Sequence, residues 1–443
     1  MSYEVSSGQV SSGISLTSDY MFVFNGGTAK ATTVNEAGSM HLEGGGSATD
    51  TTVNDAGSMT VAGVAHKTVL NGTGYWTPGK MSVLDGGAAS STTVNSGGSM
   101  SVDKGGTANE TTVNEAGSMH VSSGGVANST VVNSGGSLYV DESGTAAEVT
   151  VNGGGVLDIR TGGVAVTIRE NGGYVNVADG ANAVFAANSF SKPQLLNDSA
   201  TLHSGTTATS ATVDGFGKLF IYAGGVANST VVNSGGNLYV SSRGAADATA
   251  VNDCGSMSVL GGGVATSTTV NSGGSLYVDR NGTADATTVN ENGRLHVSGT
   301  VNETAVNGAD ELNYGEMYVD KGGAASATTL NSAGRMRIAE NGAARRCTAA
   351  ASGRMPRSGS RYLSNPNRKP GAARWPSTPP GSAARRRTVR DRRCLKAAGV
   401  SSFENNLSPR ATNALAASRH ATRSAVLVAT PPMDFLDGNT AAS

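Results

Sequence analysis

Gly124-Gly-Val-Ala-Asn-Ser-Thr-Val-Val-Asn-Ser-Gly-Gly-Ser-Leu-Tyr-Val140 contains two short β-rich segments, Ser129-Thr-Val-Val132 and Ser137-Leu-Tyr-Val140. Thr, Val and Tyr favour strands, and the alternation of Leu138 with Val140 puts both on one face. Asn and Gly fall where the chain must turn, since both tolerate positive φ. The Val-Asn step recurs at Val34-Asn35, Val53-Asn54, Val94-Asn95, Val113-Asn114, Val132-Asn133, Val151-Asn152, Val232-Asn233, Val251-Asn252, Val270-Asn271 and Val289-Asn290, mostly 19 residues apart. A fixed period of this size marks a solenoid, because one unit is too small to close a core and must stack on its neighbours. Helix signals are absent. The expected fold is all-β, a right-handed parallel β-helix with Val, Leu, Met, Ala and Thr inside and Asn stacked over Asn. With coils about 4.8 Å apart, 16 or 17 of them between Phe22 and Asn341 make a rod of roughly 80 Å.

The composition agrees. Glycine numbers 62, aromatics make up 5% and charged residues 15%, which is too glycine-rich for a large packed globule and too regular for disorder. The net charge of -1 conceals a split: residues 343–443 hold 18 Lys and Arg against 4 Asp and Glu, leaving 14 against 29 of the chain's 32 and 33 for residues 1–342. The chain therefore divides into residues 1–21, an N-terminal cap or leader remnant, residues 22–342, the repeat body, and residues 343–443, a basic Arg/Pro-rich tail. The tail begins in mid-coil and holds 9 of the 11 prolines. It reads as an out-of-frame or truncation product, or else as a disordered basic tail able to bind nucleic acid or anionic membrane non-specifically. The start of the chain lacks a basic and apolar export signal, and no stretch is long and apolar enough to span a membrane.

The breaks in period carry information. Asn54 to Asn71 is 17 residues and Asn71 to Asn95 is 24; Asn290 to Asn307 is again 17 and Asn307 to Asn331 again 24. The two sets are offset by 236, which indicates an internal duplication of several coils. The enlarged coils place inserts at 72–79 and 308–315, and the pattern also loosens over 181–204. These three segments are expected to leave the rod as loops, where solenoids tend to build binding specificity. Tyr75 and Trp76 on the first insert, and Asp310, Glu311 and Tyr314 on the second, are the candidate ligand contacts.

The unit Gly-Gly-x-Ala-x-x-Thr-x-Val-Asn-x-Gly-Gly-Ser-[Met/Leu]-x-Val resembles the passenger repeat of the AIDA-type autotransporter adhesins, including the self-aggregating antigen-43 group, over roughly residues 20–342. The resemblance implies a β-helical passenger at the cell surface or outer membrane, or secreted, that mediates bacterial adherence, autoaggregation and biofilm formation. It implies host-cell receptors or glycans and other passengers as partners. Relatives carry a signal peptide and a translocating barrel, and this chain departs from both, as a truncated fragment would.

Chemistry finds little footing in the sequence. The paired threonines Thr32-Thr33, Thr51-Thr52, Thr92-Thr93, Thr111-Thr112, Thr268-Thr269 and Thr287-Thr288 read as strand ladders whose hydroxyls bond along the stack; O-glycosylation and a glycan- or ice-binding hydroxyl array are the sharper readings. Asp103, Asp141, Asp279 and Asp320 form a repeating acidic edge without the calcium nonapeptide. His41, His120 and His296 share one repeat position, while His66 and His203 have no partner in sequence. Cys254 stands where sister units have Ala37 and Ala56, as a small turn or core residue. Neither a catalytic set, a metal cluster nor a cofactor motif can be argued, so the chain is read as a non-enzyme. The alternative is a tail-spike-like protein that binds or hydrolyses polysaccharide.

Overall fold

The structure is a computed structural model that describes residues 1–73 and 77–349. One coil shows the design. Strand Ser118–Val121 forms the first face, Val126–Asn128 the second and Val131–Val132 the third. The next coil repeats each in parallel register, pairing Met119 with Leu138 and Val121 with Val140, Ala127 with Ala146, and Val132 with Val151. Every described ladder between strands is parallel, and the result is a parallel β-solenoid of about eighteen coils. Its strands run from Ser2–Val5 to Thr348–Ala349, beyond both ends of the 22–342 body read from the repeat.

Alternation explains the packing. On the first face Met119 and Val121 point inward and are fully buried, while Ser118 and His120 point outward. Ala127, Thr130 and Val132 complete the coil's inward set. The small Ala on the second face keeps the interior narrow, and burying the Met, Val and Val side chains contributes roughly 1.5–3 kcal/mol each.

Two backbone devices turn the corners. Gly124 has φ +76, open to a residue without Cβ. Its neighbour Gly125 has ordinary φ, but an added Cβ would lie 2.2 Å from the Val102 carbonyl oxygen, so the close approach of adjacent coils excludes any side chain. At the second-to-third corner, non-glycine residues adopt the left-handed conformation, among them Glu110 (φ 54) and Ser129 (φ 53). That conformation costs about 1–2 kcal/mol per residue, offset by a bond to the following coil: Ser129 N–H donates to the Ala147 carbonyl at 2.9 Å.

The Asn column forms as the repeat predicts. Asn133 Nδ2 donates to Asn114 Oδ1 and Asn152 Nδ2 to Asn133 Oδ1, both at 2.8 Å. The same bond runs coil by coil from Asn35 to Asn171, and again from Asn233 to Asn331.

The threonine reading needs correction. The first Thr of each pair turns inward, and the hydroxyls of Thr32, Thr51, Thr68, Thr92, Thr111 and Thr130 are buried without a hydrogen-bond partner. Thr230, Thr249, Thr268, Thr287, Thr304 and Thr328 repeat this in the second half. These inward hydroxyls do not meet across the step of about 4.8 Å, whereas the longer Asn amide spans it; hydroxyls on the outer surface do meet, as Ser58 does with Ser39 at 3.0 Å. Val149 already fills the column without loss of burial.

The segment 181–204 is not a loop. It forms strands Asn182–Phe185, Asn188–Ser191, Gln194–Leu195 and Ser199–Leu202. The first two follow each other with no third-face strand between them. Asn182–Phe185 pairs back with Val164–Ile168, and Asn188–Ser191 pairs forward with Thr206–Thr209. This extra strand interrupts the first-face ladder between Tyr174–Val177 and Ser199–Leu202, and the core divides into Val5–Val175 and Leu195–Met336.

At this seam Glu170 occupies the register of Val151 and is fully buried. Its carboxylate accepts the Thr201 hydroxyl at 2.6 Å, the His203 backbone N–H at 2.7 Å and His203 Nδ1 at 2.7 Å. Thr201 Oγ1 in turn accepts Val175 N–H at 2.9 Å. The His203 ring lies between Phe185, 4.2 Å away, and Tyr222, 4.7 Å away. Side chains thus supply the bonds that the broken backbone ladder omits.

Two outcomes check this account. Thr111→Val is expected to leave urea stability unchanged or to raise it by about 1 kcal/mol, because it removes an unpaired buried hydroxyl. Glu170→Val restores the repeat residue yet strands the His203 donors. It is expected to destabilise the seam by about 3–5 kcal/mol, read as faster amide exchange at 170–205 than in the coils around Val132.

Candidate functional site

The two inserts prove to be copies of one device. Gly72 bridges Pro78 and Gly308 bridges Tyr314, both antiparallel, so each insert leaves the third face and closes before the next first-face strand. Tyr75 and Trp76 lie outside the described residues. On the second insert Asp310 turns back into its own loop, accepting Leu312 N–H at 2.7 Å, Asn313 N–H at 2.8 Å and Asn313 Nδ2 at 2.9 Å. These bonds, the Asn313 side chain first, hold its carboxyl below the usual carboxylate range. Tyr314 is covered by Arg335, whose guanidinium carbon sits 3.6 Å from the ring centre and whose Nη2 donates to the Glu311 carbonyl at 2.9 Å. Leu312 is exposed at the tip.

Beneath the insert, outward positions of the first face carry a charged and aromatic group. Arg294, Glu316 and Arg335 share one column, and His296, Tyr318 and Arg337 the next but one. Rings stack along the second column: Tyr277 and His296 at 5.1 Å, His296 and Tyr318 at 4.9 Å, with Arg337 over Tyr318 at 5.6 Å. Arg337 Nε lies 3.1 Å from Glu316 Oε1. Burial and the bond to Glu316 push the Tyr318 phenol up to about 12. Among the described residues Arg294 makes no ion pair. A small cavity of about 100 Å³ opens here, lined by Asn292, Gly293, Arg294, Leu312, Tyr314 and Glu316.

A second ladder of this type joins His120, Tyr139 and Arg160, with 4.6 Å between the first two rings and the guanidinium 5.0 Å from the Tyr139 centre. His41 stacks on Phe22 at 5.0 Å. The recurring histidines are therefore members of surface ring columns. His66 also finds a partner, Ser90 Oγ at 2.9 Å. Of the Asp row, Asp279 is exposed and the others are half buried: Asp141 is paired with Arg160 at 2.5 Å, and Asp320 accepts Ser298 Oγ at 3.2 Å. Cys254 takes φ 56, close to Ala37 (φ 55) and Ala56 (φ 53), which makes it the turn residue expected. No helix among the described residues is long and apolar enough to cross a membrane.

This is the architecture of a repeat stalk with decorated lateral faces. Residues 217–274 and 236–293 match the family described as "adhesin of bacterial autotransporter system, probable stalk". The crystal structure of a TibA fragment, hyper-glycosylated in a TibC-catalysed reaction, is 30% identical, covering 74% of this chain and 99% of that one, with a TM-score of 0.34. The chain belongs to the AIDA-type autotransporter adhesins, and its repeat body is an adhesin passenger. Comparison with curated proteins returns no match. The periplasmic alginate epimerase AlgG is 10% identical over 75% of this chain and 77% of its own, with a TM-score of 0.18. The Streptococcus pneumoniae surface protein and adhesin PfbA is 9% identical over 76% and 90%, with a TM-score of 0.13. Both similarities are too distant to bear on function.

Burial holds the His120 and His296 rings below the usual histidine value, against the raising effect of Asp141 on the one and of Asp320 and Glu316 on the other. A depressed folded value means that the unfolded chain binds the proton first. Their contribution is complete above about pH 6.5 and is lost as pH falls from there through the lower folded value. Acidification from pH 7.5 to 5.5 is therefore expected to lower the urea midpoint, and less so in a His120→Ser, His296→Ser double variant.

Proposed function

We propose that the passenger adheres through its long lateral faces, to surface glycans or receptors of host cells and side by side to other copies of itself, while held at the bacterial cell surface. The observation that carries this reading is the outward composition of the first face. Ser39, Ser58, Ser99, Ser118 and Ser137 occupy one register, interrupted by Lys80 between Ser58 and Ser99, each serine half buried, with Ser58 bonded to Ser39 at 3.0 Å. Short polar side chains at a fixed spacing make a flat surface rich in donors and acceptors. The large exposed apolar residues are spread over the coils, Tyr20 on the first face, Val10 and Val64 on the second, Leu312 on the insert and Phe216 beside Leu196 at a turn. Two such faces can meet through many weak hydrogen bonds, whose sum grows with the number of coils in contact.

The Ser and Thr hydroxyls along these faces are also the groups that a glycosyltransferase would modify, as the glycosylated TibA fragment illustrates for its own chain. Only the half-exposed second Thr of each pair, such as Thr33 or Thr112, presents its side chain outward for this; the buried first Thr does not.

Sedimentation velocity of the full chain over a range of concentrations tests self-association. A concentration-dependent increase in sedimentation coefficient that survives 0.5 M salt is expected for hydrogen-bonded faces. A strict monomer at all concentrations would remove the side-by-side contact.

A further inference from the structure

The internal duplication supplies a control for asking which side chains the fold needs. Coils around 58–102 and 294–338 have the same strands, the same insert and the same bridge, offset by 236 residues. Their inward residues stay apolar: Met59, Val61, Met81, Val83, Met100 and Val102 correspond to Leu295, Val297, Met317, Val319, Met336 and Ile338. On the first face their outward residues do not correspond, whereas on the second and third faces Ala88, Ser90 and Thr93 recur as Ala324, Ser326 and Thr329. Ser58, Lys80 and Ser99 become Arg294, Glu316 and Arg335, and Thr60, Ser82 and Ser101 become His296, Tyr318 and Arg337. The coil closes equally well with either set, so the fold does not require the second. Three arginines stand against Glu316 in these columns, with Asp310 and Glu311 on the insert beside them, on a body that carries 14 basic against 29 acidic residues over 1–342.

We propose, building on the adhesive reading above, that this patch is a binding site for an acidic sugar, a hexose unit bearing a carboxylate. At about 100 Å³ the cavity is well below the roughly 300–1,000 Å³ that encloses a whole small molecule, so it admits one substituent while the ring stays outside. Arg335 and Arg337 are engaged by Tyr314 and Glu316, which leaves the Arg294 guanidinium as the cationic fork at the cavity wall. A planar carboxylate matches that fork bidentately. Glu316, only 9% exposed and flanked by Arg294 and Arg335 in its column, is an acceptor for the hydroxyls next to the carboxylate. The exposed Leu312 and the edge of the Tyr277–His296–Tyr318 ladder border the ring. A neutral sugar would offer the Arg294 guanidinium no carboxylate to engage.

The test uses the full chain with labelled tetragalacturonate and, as the neutral counterpart, maltotetraose. Two variants are taken from the chain's own other copy, Arg294→Ser, as at Ser58, and Glu316→Lys, as at Lys80, and circular dichroism confirms that both retain the solenoid. Tetragalacturonate is expected to bind, to weaken in 0.5 M salt, and to lose about tenfold or more in affinity with either variant, while maltotetraose does not bind. Equal binding of the two sugars, or wild-type affinity in both folded variants, would overturn the proposal. A chain that self-associates but ignores tetragalacturonate would lose this site and keep its adhesive faces.

Discussion

The coil-to-coil step of about 4.8 Å is the constraint to which every other feature conforms. Backbone ladders on three faces set it, and side chains are then selected by whether they can live with a copy of themselves one step away. An Asn amide reaches across that step and bonds its neighbour, as Asn152 does to Asn133 at 2.8 Å. Aromatic rings lie flat on one another at about the same interval, His296 on Tyr318 at 4.9 Å. Gly125 is glycine because the carbonyl of the preceding coil leaves no room for a Cβ. Since the ladder bonds run between neighbouring coils and the turn bonds within one, stability accrues coil by coil and does not depend on a distant centre.

The same logic explains what the sequence discloses and what it hides. The inward positions are legible because alternation within Ser137-Leu-Tyr-Val140 and the period of the repeat point to the same face. The inserts at 72–79 and 308–315 follow from arithmetic on Asn positions. The inward turn of Thr32 and its sisters is not legible, because it depends on the left-handed φ of the residue before, such as Ala31 at φ 48, which no composition rule assigns to Ala. The segment 181–204 looks like a loop because it lacks the repeat's Gly-Gly and Val-Asn steps, yet a ladder needs only backbone and holds its strands without them. The meeting of Glu170 with His203 is hidden by 33 residues of irregular chain. A trace of it exists, since an acid in the register of Val34, Val53 and Val151 is the one charged residue in an apolar column.

The duplication separates two kinds of pressure on the sequence. Within the copies the core changes only among apolar residues of similar size, Met59 to Leu295 or Val102 to Ile338. The outward positions of the first face change in charge, size and aromaticity. A solenoid is unusual in allowing this, because each outward side chain sits on a strand that is already fully bonded above and below. Surface chemistry can vary without a cost in folding, and a single architecture can carry several different faces along its length.

The seam at Glu170 has a mechanical consequence. A stalk that tethers a cell bears load along its axis, and that load passes through the bonds between coils. Over most of the body three backbone ladders share the tension, but between Tyr174–Val177 and Ser199–Leu202 the first face transmits it through one backbone bond, Thr201 N–H to the Gly173 carbonyl at 3.1 Å, and the Glu170, Thr201 and His203 side chains. Extension is then expected to begin in the interior of the body, parting it into two intact stacks before either unravels. Single-molecule pulling from both termini would reveal this as a first rupture with a contour length of a few tens of residues, and unravelling that starts at a terminal coil would contradict it. A tether built this way yields at one internal point and keeps its adhesive faces whole on both sides of it.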